Sequence, residues 1–336
     1  MTYRFRLAYL IPLMACLISC TQAPPVIERI KGATMGTAYS ILWPAQASIS
    51  PAFIQQEVDQ LLVEINAQMS TYDPTSELSR FNQAQPPYSQ IISDPLAEVV
   101  ALSLKLNKQS EGYFDISVGP IVNLWGFGPN KVLNHVPTPA EIKAARQRTG
   151  LGAVALSGNE LNKSSDRYLD LSAVAKGFAV DQVATLLDAL QLDSYLVEIG
   201  GEMSVKGMKS AASPWRVAVE APDFNARRVQ KIIPLKNVAM ATSGDYRNYI
   251  EVDGQRYSHS IDPFTALPVQ HRLASVTIID DNCARADALA TAMLVMGEEK
   301  ARAFAVKHKI RAYLIVRAQQ DFTEYLSPAF ERWLTP

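Results

Sequence analysis

Asp287 and Thr291 stand four residues apart in "ARADALATAMLVMG", residues 284–297, whose alanine, leucine and methionine predict a helix. That spacing puts both side chains on one helical face, one turn apart. Leu289, Met293 and Met296 predict that much of the helix is buried, and a buried carboxylate without a partner is costly. Two plain readings are open: Arg285 or Arg272 pairs with Asp287, or the Asp–Thr face points to water. A third is a hard cation. Magnesium takes oxygen ligands, usually with only one or two carboxylates and with phosphate and water completing the shell. One Asp and one Thr make a thin site unless a substrate brings phosphates.

Four further stretches carry polar residues where the pattern would otherwise be core. Met35-Gly36-Thr37 is a turn between strand-like segments. "MSTYDPTSELSRFN" at 69–82 places Tyr72 after a helix, where an aromatic ring packs or stacks on a planar ligand. "DLSAVAKGFAVDQ" at 170–182 puts Asp170 and Ser172 at a helix start, which is capping chemistry. The same helix start is an anion site, to which Lys176 would add charge. "SHSIDPFTALP" at 258–268 sets His259 beside the Asp262-Pro263 turn, in a structural or a catalytic role.

The elements that must position these residues are helices and hairpins. "SPAFIQQEVDQLLVEINAQMS" is an amphipathic helix capped by Ser50 with Pro51 in its first turn. A second begins at Asp94-Pro95 and stops by Gly112, and "PTPAEIKAARQRTG" is a short third. "GPIVNLWGFGPN" reads as a Gly/Pro-rich loop with Trp125 and Phe127 buried, and "LDLSAVAKGFAVDQVATLLDALQL" as a strand end running into a helix. "YLVEIGGEMSVKG" is strand, glycine turn, strand. From residue 215 strands dominate, with a hairpin turn at Asp253-Gly254. The fold class is α+β, a largely antiparallel sheet with packed helices. Neither a G-x-G-x-x-G after a strand nor a P-loop occurs.

The 336 residues carry a formal net charge of -1, with 48% hydrophobic and 19% charged residues. That suffices for a large core and argues against general nucleic-acid binding. The N-terminus reads separately. Arg4 and Arg6 precede an apolar run from Leu7 to Ile18 that is short for a membrane span. It closes on "LISC", which resembles the bacterial lipobox, with Cys20 as the lipidated residue. The expected organisation is a signal peptide over 1–19, a lipid-bearing tether over 20–27 and one domain over 28–336. Cys16 leaves with the signal, so Cys283 has no intrachain disulfide partner and reads as packing.

Taken in order, M-G-T, M-S-x-Y, D-x-S-V-G-P, D-L-S-x-V-A-K-G, E-I-G-G-E, H-x-I-D-P-x-T-x-x-P and A-D-A-L-A-T-A resemble the ApbE family of FAD:protein FMN transferases, over essentially all of the chain after the tether. The resemblance implies a T-fold-like architecture and an enzyme that uses FAD and Mg²⁺. It would transfer FMN to a Ser or Thr of a target protein through a phosphoester bond, releasing AMP. Asp287, Thr291 and the main-chain carbonyl of Ala173 would hold the magnesium. Met35, Tyr72, Phe114, Asp115, Asp170, Lys176 and Ile261 would line the flavin site, with the glycines of "EIGGE" letting backbone approach the ligand. His259 is the candidate base for the incoming hydroxyl. The implied partners are exported redox subunits, met on the periplasmic side of a bacterial membrane, inner or outer. Two other activities fit the same residues: a magnesium-dependent FAD pyrophosphatase giving FMN and AMP, and a lipoprotein that binds FAD without chemistry. Three positions depart from the family pattern. Phe264 stands where Arg is common, Ala266 where Gly is common, and Lys176 where many members carry Glu. "KGATM" at 31–35 echoes the family's target motif, but Lys31 replaces its first hydroxyl residue, so it reads as strand and turn.

Overall fold

The computed structural model describes residues 26–45, 49–129, 135–211, 213–223, 228–246, 248–252, 254–319 and 321–334. The expected signal peptide, Cys20 and most of the tether lie outside them. An eight-stranded sheet organises the chain. Its strands run, edge to edge, Ile27–Thr34, Thr37–Pro44, Tyr195–Ile199, Glu202–Lys206, Val238–Gly244, Leu273–Asp280, Arg311–Arg317 and Phe322–Leu326. Every neighbouring pair is antiparallel. The α+β reading of the sequence therefore holds.

The central strands are covered on both faces. Ala312 and Leu314 join the core beneath the helices, while Tyr313 and Ile315 face a second core on the other side. That second core is closed by the ribbon of Trp215–Glu220 with Val229–Leu235 and by the Pro328–Leu334 helix. Covered on both sides, "LASVTIID" is buried in all but its last residue, Ser275 and Thr277 included. On the first face lie the helices Pro51–Met69, Asp94–Gln109, Ala175–Ala189 and Cys283–Met296. The last of these buries every residue except Arg285 and Thr291, in keeping with its all-round apolar composition. Cys283 is free and fully buried, as packing requires.

Local signals behave as the sequence predicts at several ends. The Ser50 hydroxyl accepts from the Phe53 amide, and Thr138 with Glu141 forms a capping box on Pro139–Arg146. Tyr249–Val252 pairs antiparallel with Gln255–Ser258 on either side of the expected Asp253-Gly254 turn, of which Asp253 lies outside the described residues. Two expectations need correction. Gly119–Leu124 is a short helix, not a loop: Pro120 sits in its first turn, where its missing N–H costs nothing. Leu169–Leu171 is irregular, not a strand end. Asn82 grips it instead, accepting from the Leu169 amide and donating to the Leu169 carbonyl, both at 2.8 Å.

Candidate functional site

Three tight backbone segments meet at one end of the sheet. The first is the Met35-Gly36 turn between the edge strand Ile27–Thr34 and its neighbour Thr37–Pro44, with Met35 at φ 49° and Gly36 at φ 70°. The second is Gly200-Gly201, between Tyr195–Ile199 and Glu202–Lys206. A Cβ on Gly200 would lie 2.9 Å from Thr37 Cγ2 and 3.3 Å from Lys176 Cδ, so glycine is what lets turn, threonine and lysine crowd together. The third is the start of the Ala175–Ala189 helix, which lies against Cys283–Met296.

These two helices cap each other. Gly177, in the first turn of its helix, donates its amide to Asp287 Oδ2 at 3.1 Å. Asp181, one turn on, accepts from the Cys283 amide at 2.9 Å and the Ala284 amide at 2.8 Å, where the second helix begins. Each carboxylate thus satisfies free N–H groups of the other helix, where the helix dipole favours negative charge. Burial pushes Asp181 up to about 6 against the pull of its two amide donors, with Glu98 and Asp280 adding to the rise. The approach depends on Gly177, because a Cβ there would stand 2.4 Å from the Cys283 carbonyl oxygen. Asp170 and Ser172 do not cap this helix as expected. Asp170 instead accepts from the Ser172 amide and hydroxyl, closing a turn before the helix starts.

Asp287 is 3% exposed, so the water-facing reading fails. Neither arginine meets it. Arg285 pairs with Asp280, since residues two apart on a helix do not share a face, and Arg272 donates to the Arg317 carbonyl. The cation beside Asp287 is Lys176, with Nζ 3.6 Å from Oδ2 and 3.0 Å from Glu202 Oε2. Glu202 is itself 3% exposed, and that oxygen has no hydrogen-bond donor besides the ammonium among the described residues. Burial alone would lower Lys176, but Asp287 and Glu202 together hold it above the ordinary lysine range. Burial raises both carboxylates, opposed by Lys176. Glu202 and Asp181 were not singled out in the sequence; their partners lie far along the chain, and only the glycines beside Glu202 hinted at a site.

Thr291 shares a hydrogen bond with Ser243 at 3.0 Å and keeps part of its surface open. Because the Gly177 amide turns to Asp287, no hydrogen bond to the Ala173 carbonyl occurs among the described residues. The carboxylate of Asp287, the hydroxyl of Thr291 and this unclaimed carbonyl are hard oxygen donors, a set suited to Mg²⁺ when phosphate completes it. No group of three or more His, Cys, Asp or Glu with metal-binding geometry occurs among the described residues.

The aromatic residues form a second group. Tyr72 is half exposed and donates to the Phe127 carbonyl at 3.1 Å. The Phe127 ring stands edge-on to His259, with centroids 6.3 Å apart. His259 Nδ1 lies 3.0 Å from the Asn248 carbonyl, so Nδ1 carries the proton and Nε2 is the free base. Burial lowers His259, and the charge of Lys176 adds to that, against the opposing pull of Asn248 and Asp245. Asp170 is near enough to Tyr72 for its charge to raise the phenol, after burial. Its amide donates to the Ile116 carbonyl, which joins it to the Phe114–Ser117 segment. Burial likewise raises Asp115, whose Oδ1 accepts from the Ser117 amide and hydroxyl. Phe114 is 2% exposed and belongs to the main core, and Ile261 packs with Trp125, Tyr257 and Ala266. The Ile261–Asp262 strand packs against the Cys283–Met296 helix that carries Asp287.

The departures have structural consequences. Ala266 adopts φ 60°, the conformation glycine would take there, and its carbonyl accepts from Trp125 Nε1. The turn geometry therefore survives the loss of glycine. Phe264 packs edge-on against Tyr113 at 4.8 Å, so an aromatic contact stands where a charge would be.

The ApbE family profile matches residues 35–314. A Vibrio cholerae protein described as an FAD:protein FMN transferase is 44% identical over 95% of this chain and 96% of its own length. A Haemophilus influenzae protein of the same description is 41% identical over 95% of both chains. The solved structure of the flavin transferase ApbE from Vibrio cholerae superposes with a TM-score of 0.86 at 44% identity, covering 92% of this chain and 99% of that one.

Proposed function

The chain belongs to the ApbE family, and we propose that it is a magnesium-dependent FAD:protein FMN transferase that links FMN to a serine or threonine of a target protein and releases AMP. Flavin transfer is the activity for which its 44%-identical relative is named. The observation that carries the finer reading is the trio of oxygen donors at the helix junction: Asp287 held by the Gly177 amide, Thr291 one turn on, and the unclaimed Ala173 carbonyl.

When bound, a magnesium ion on these donors would neutralise charge at the phosphorus under attack and on the departing AMP. The residues around it do the remaining work. Gly200-Gly201 and the Met35-Gly36 turn give the substrate close access to backbone. Tyr72 and Phe127 offer ring faces beside His259 for a planar isoalloxazine. Asp170 lies near Tyr72 and is joined through its amide to the Phe114–Ser117 segment, and Ile261 stands two residues from His259. His259 Nε2 takes the proton of the incoming hydroxyl, a role that a neutral, partly buried imidazole fits. This base, absent from a mere flavin carrier, favours chemistry over storage. With water as acceptor the same arrangement would hydrolyse FAD to FMN and AMP.

The test mixes protein, FAD, Mg²⁺ and an exported redox subunit, then reads covalent flavin fluorescence on a denaturing gel. Wild type should label the subunit, and Asp287→Ala should cut labelling at least 100-fold while its folded circular dichroism spectrum is kept. Equal labelling by the variant in Mg²⁺ would remove the metal assignment. Release of FMN without labelling would favour the hydrolase.

A further inference from the structure

Lys176 bridges two buried carboxylates, at 3.0 Å from Glu202 and 3.6 Å from Asp287. The group Asp287, Lys176 and Glu202 carries a formal charge of about -1 by ordinary ionisation. Yet Asp287 is the one carboxylate among the proposed metal donors, and an ammonium at this distance competes for the same oxygen. A lysine ammonium and a divalent cation cannot both sit against one carboxylate oxygen without strong repulsion. Glu202 has no proposed part in the metal site. Its Oε2 is buried and has no donor other than Lys176 among the described residues.

We propose that Lys176 is a guard cation: it neutralises Asp287 while the metal is away, and Glu202 is the station that keeps it when Asp287 is released. The inference rests on the magnesium reading above. It assigns Lys176 a place on the metal side of the site, besides any contact with phosphate. It also explains why a buried carboxylate is tolerated before the cation arrives, since an unpaired one would be costly. The guard holds back the cation until it comes with an anion. A diphosphate offers the ammonium a second partner at the moment the metal needs Asp287.

The test measures Mn²⁺ binding to the flavin-free protein by water-proton relaxation, up to low millimolar metal. The decisive variant is the double substitution Lys176→Met with Glu202→Gln. It removes one positive and one negative charge, so the local net charge is unchanged, and of the three groups only Asp287 stays charged, without its ammonium. The guard predicts that this double variant binds Mn²⁺ at least about fivefold more tightly than wild type. A purely net-charge effect predicts no change, and equal or weaker binding overturns the proposal. Glu202→Gln alone should weaken Mn²⁺ binding severalfold, because Lys176 is then left to Asp287. In the Lys176→Met background the same glutamine should have a much smaller effect, as a double-mutant cycle would show. An undiminished effect there would mean that Glu202 acts directly and not through the lysine, which also overturns the proposal. Asp287→Ala in the double variant separates the two levels. If Mn²⁺ binding is indifferent to Asp287, the metal reading fails and takes the guard with it. If binding depends on Asp287 but ignores Lys176, only the guard fails.

Discussion

At the scale of single residues, the proposed base His259 is where transfer and mere binding can be told apart. Its Nδ1 is committed to the Asn248 carbonyl, which fixes the ring and leaves Nε2 as acceptor. A positioned base contributes typically a hundredfold or more to attack by a hydroxyl. His259→Ala should therefore keep FAD affinity near wild type, read by flavin fluorescence, and label acceptor at under a tenth of the normal rate. A histidine that only pinned its hairpin would lose stability and FAD binding together. The pH profile adds an independent check. Burial lowers His259 below the usual imidazole value of about 6.5, so its neutral, basic form persists to lower pH. The acid limb of kcat/KM should then fall below pH 6.5, and a limb above it would point to another base. The candidate residues are legible in the sequence in proportion to how local their signal is. Asp287 and Thr291 show themselves by helical spacing, and Met35-Gly36 by a turn between strands. The partner of Asp287 did not, because Lys176 is brought to it by the packing of two helices.

At the scale of elements, the junction of Ala175–Ala189 with Cys283–Met296 sets the site's precision. Both helices must approach closely enough for side chains to reach each other's free amides. Gly177 is the contact that permits it. Gly177→Ala would place a methyl group 2.4 Å from the Cys283 carbonyl oxygen, a backbone atom that cannot swing aside. Overpacking of this kind costs about 1–3 kcal/mol. The expected result is a lower melting temperature together with loss of labelling that excess Mg²⁺ does not restore. A melting temperature and rate equal to wild type would show that the helices do not need this approach. The element pattern itself was largely legible: amphipathic helices, capping residues and alternating strands are short-range signals. Gly119–Leu124 was not, since its glycine and proline mimic a loop while its first turn tolerates both. Asp181 escaped notice for the opposite reason: nothing near it in sequence marks a residue whose two acceptor oxygens serve a helix 102 and 103 positions away.

At the scale of the whole molecule, the first strand runs from the tether to the site. It begins at Ile27, the last residue of the expected lipid-bearing tether, and ends at the Met35-Gly36 turn. Its eight residues span roughly 27 Å at about 3.4 Å each. No described helix is long and apolar enough to cross a membrane, and the lipid anchor expected at Cys20 lies outside the described residues. Cys20→Ser should leave the protein unprocessed or free of the membrane fraction. Unchanged membrane association on fractionation would remove the lipid anchor. A different consequence follows from the two carboxylates that cross between helices. The Gly177–Asp287 and Asp181–Cys283 bonds join positions 110 and 102 residues apart, and contacts so distant in sequence carry a loop-closure cost that slows their formation. Asn282 caps the second helix locally through the Arg285 amide, but the Gly177, Cys283 and Ala284 amides meet their carboxylates only when the helices dock, so a half-folded chain presents no ordered donor set. Flavin chemistry is thereby reserved for molecules that have finished folding, and in a refolding experiment labelling activity should return only with the slowest phase.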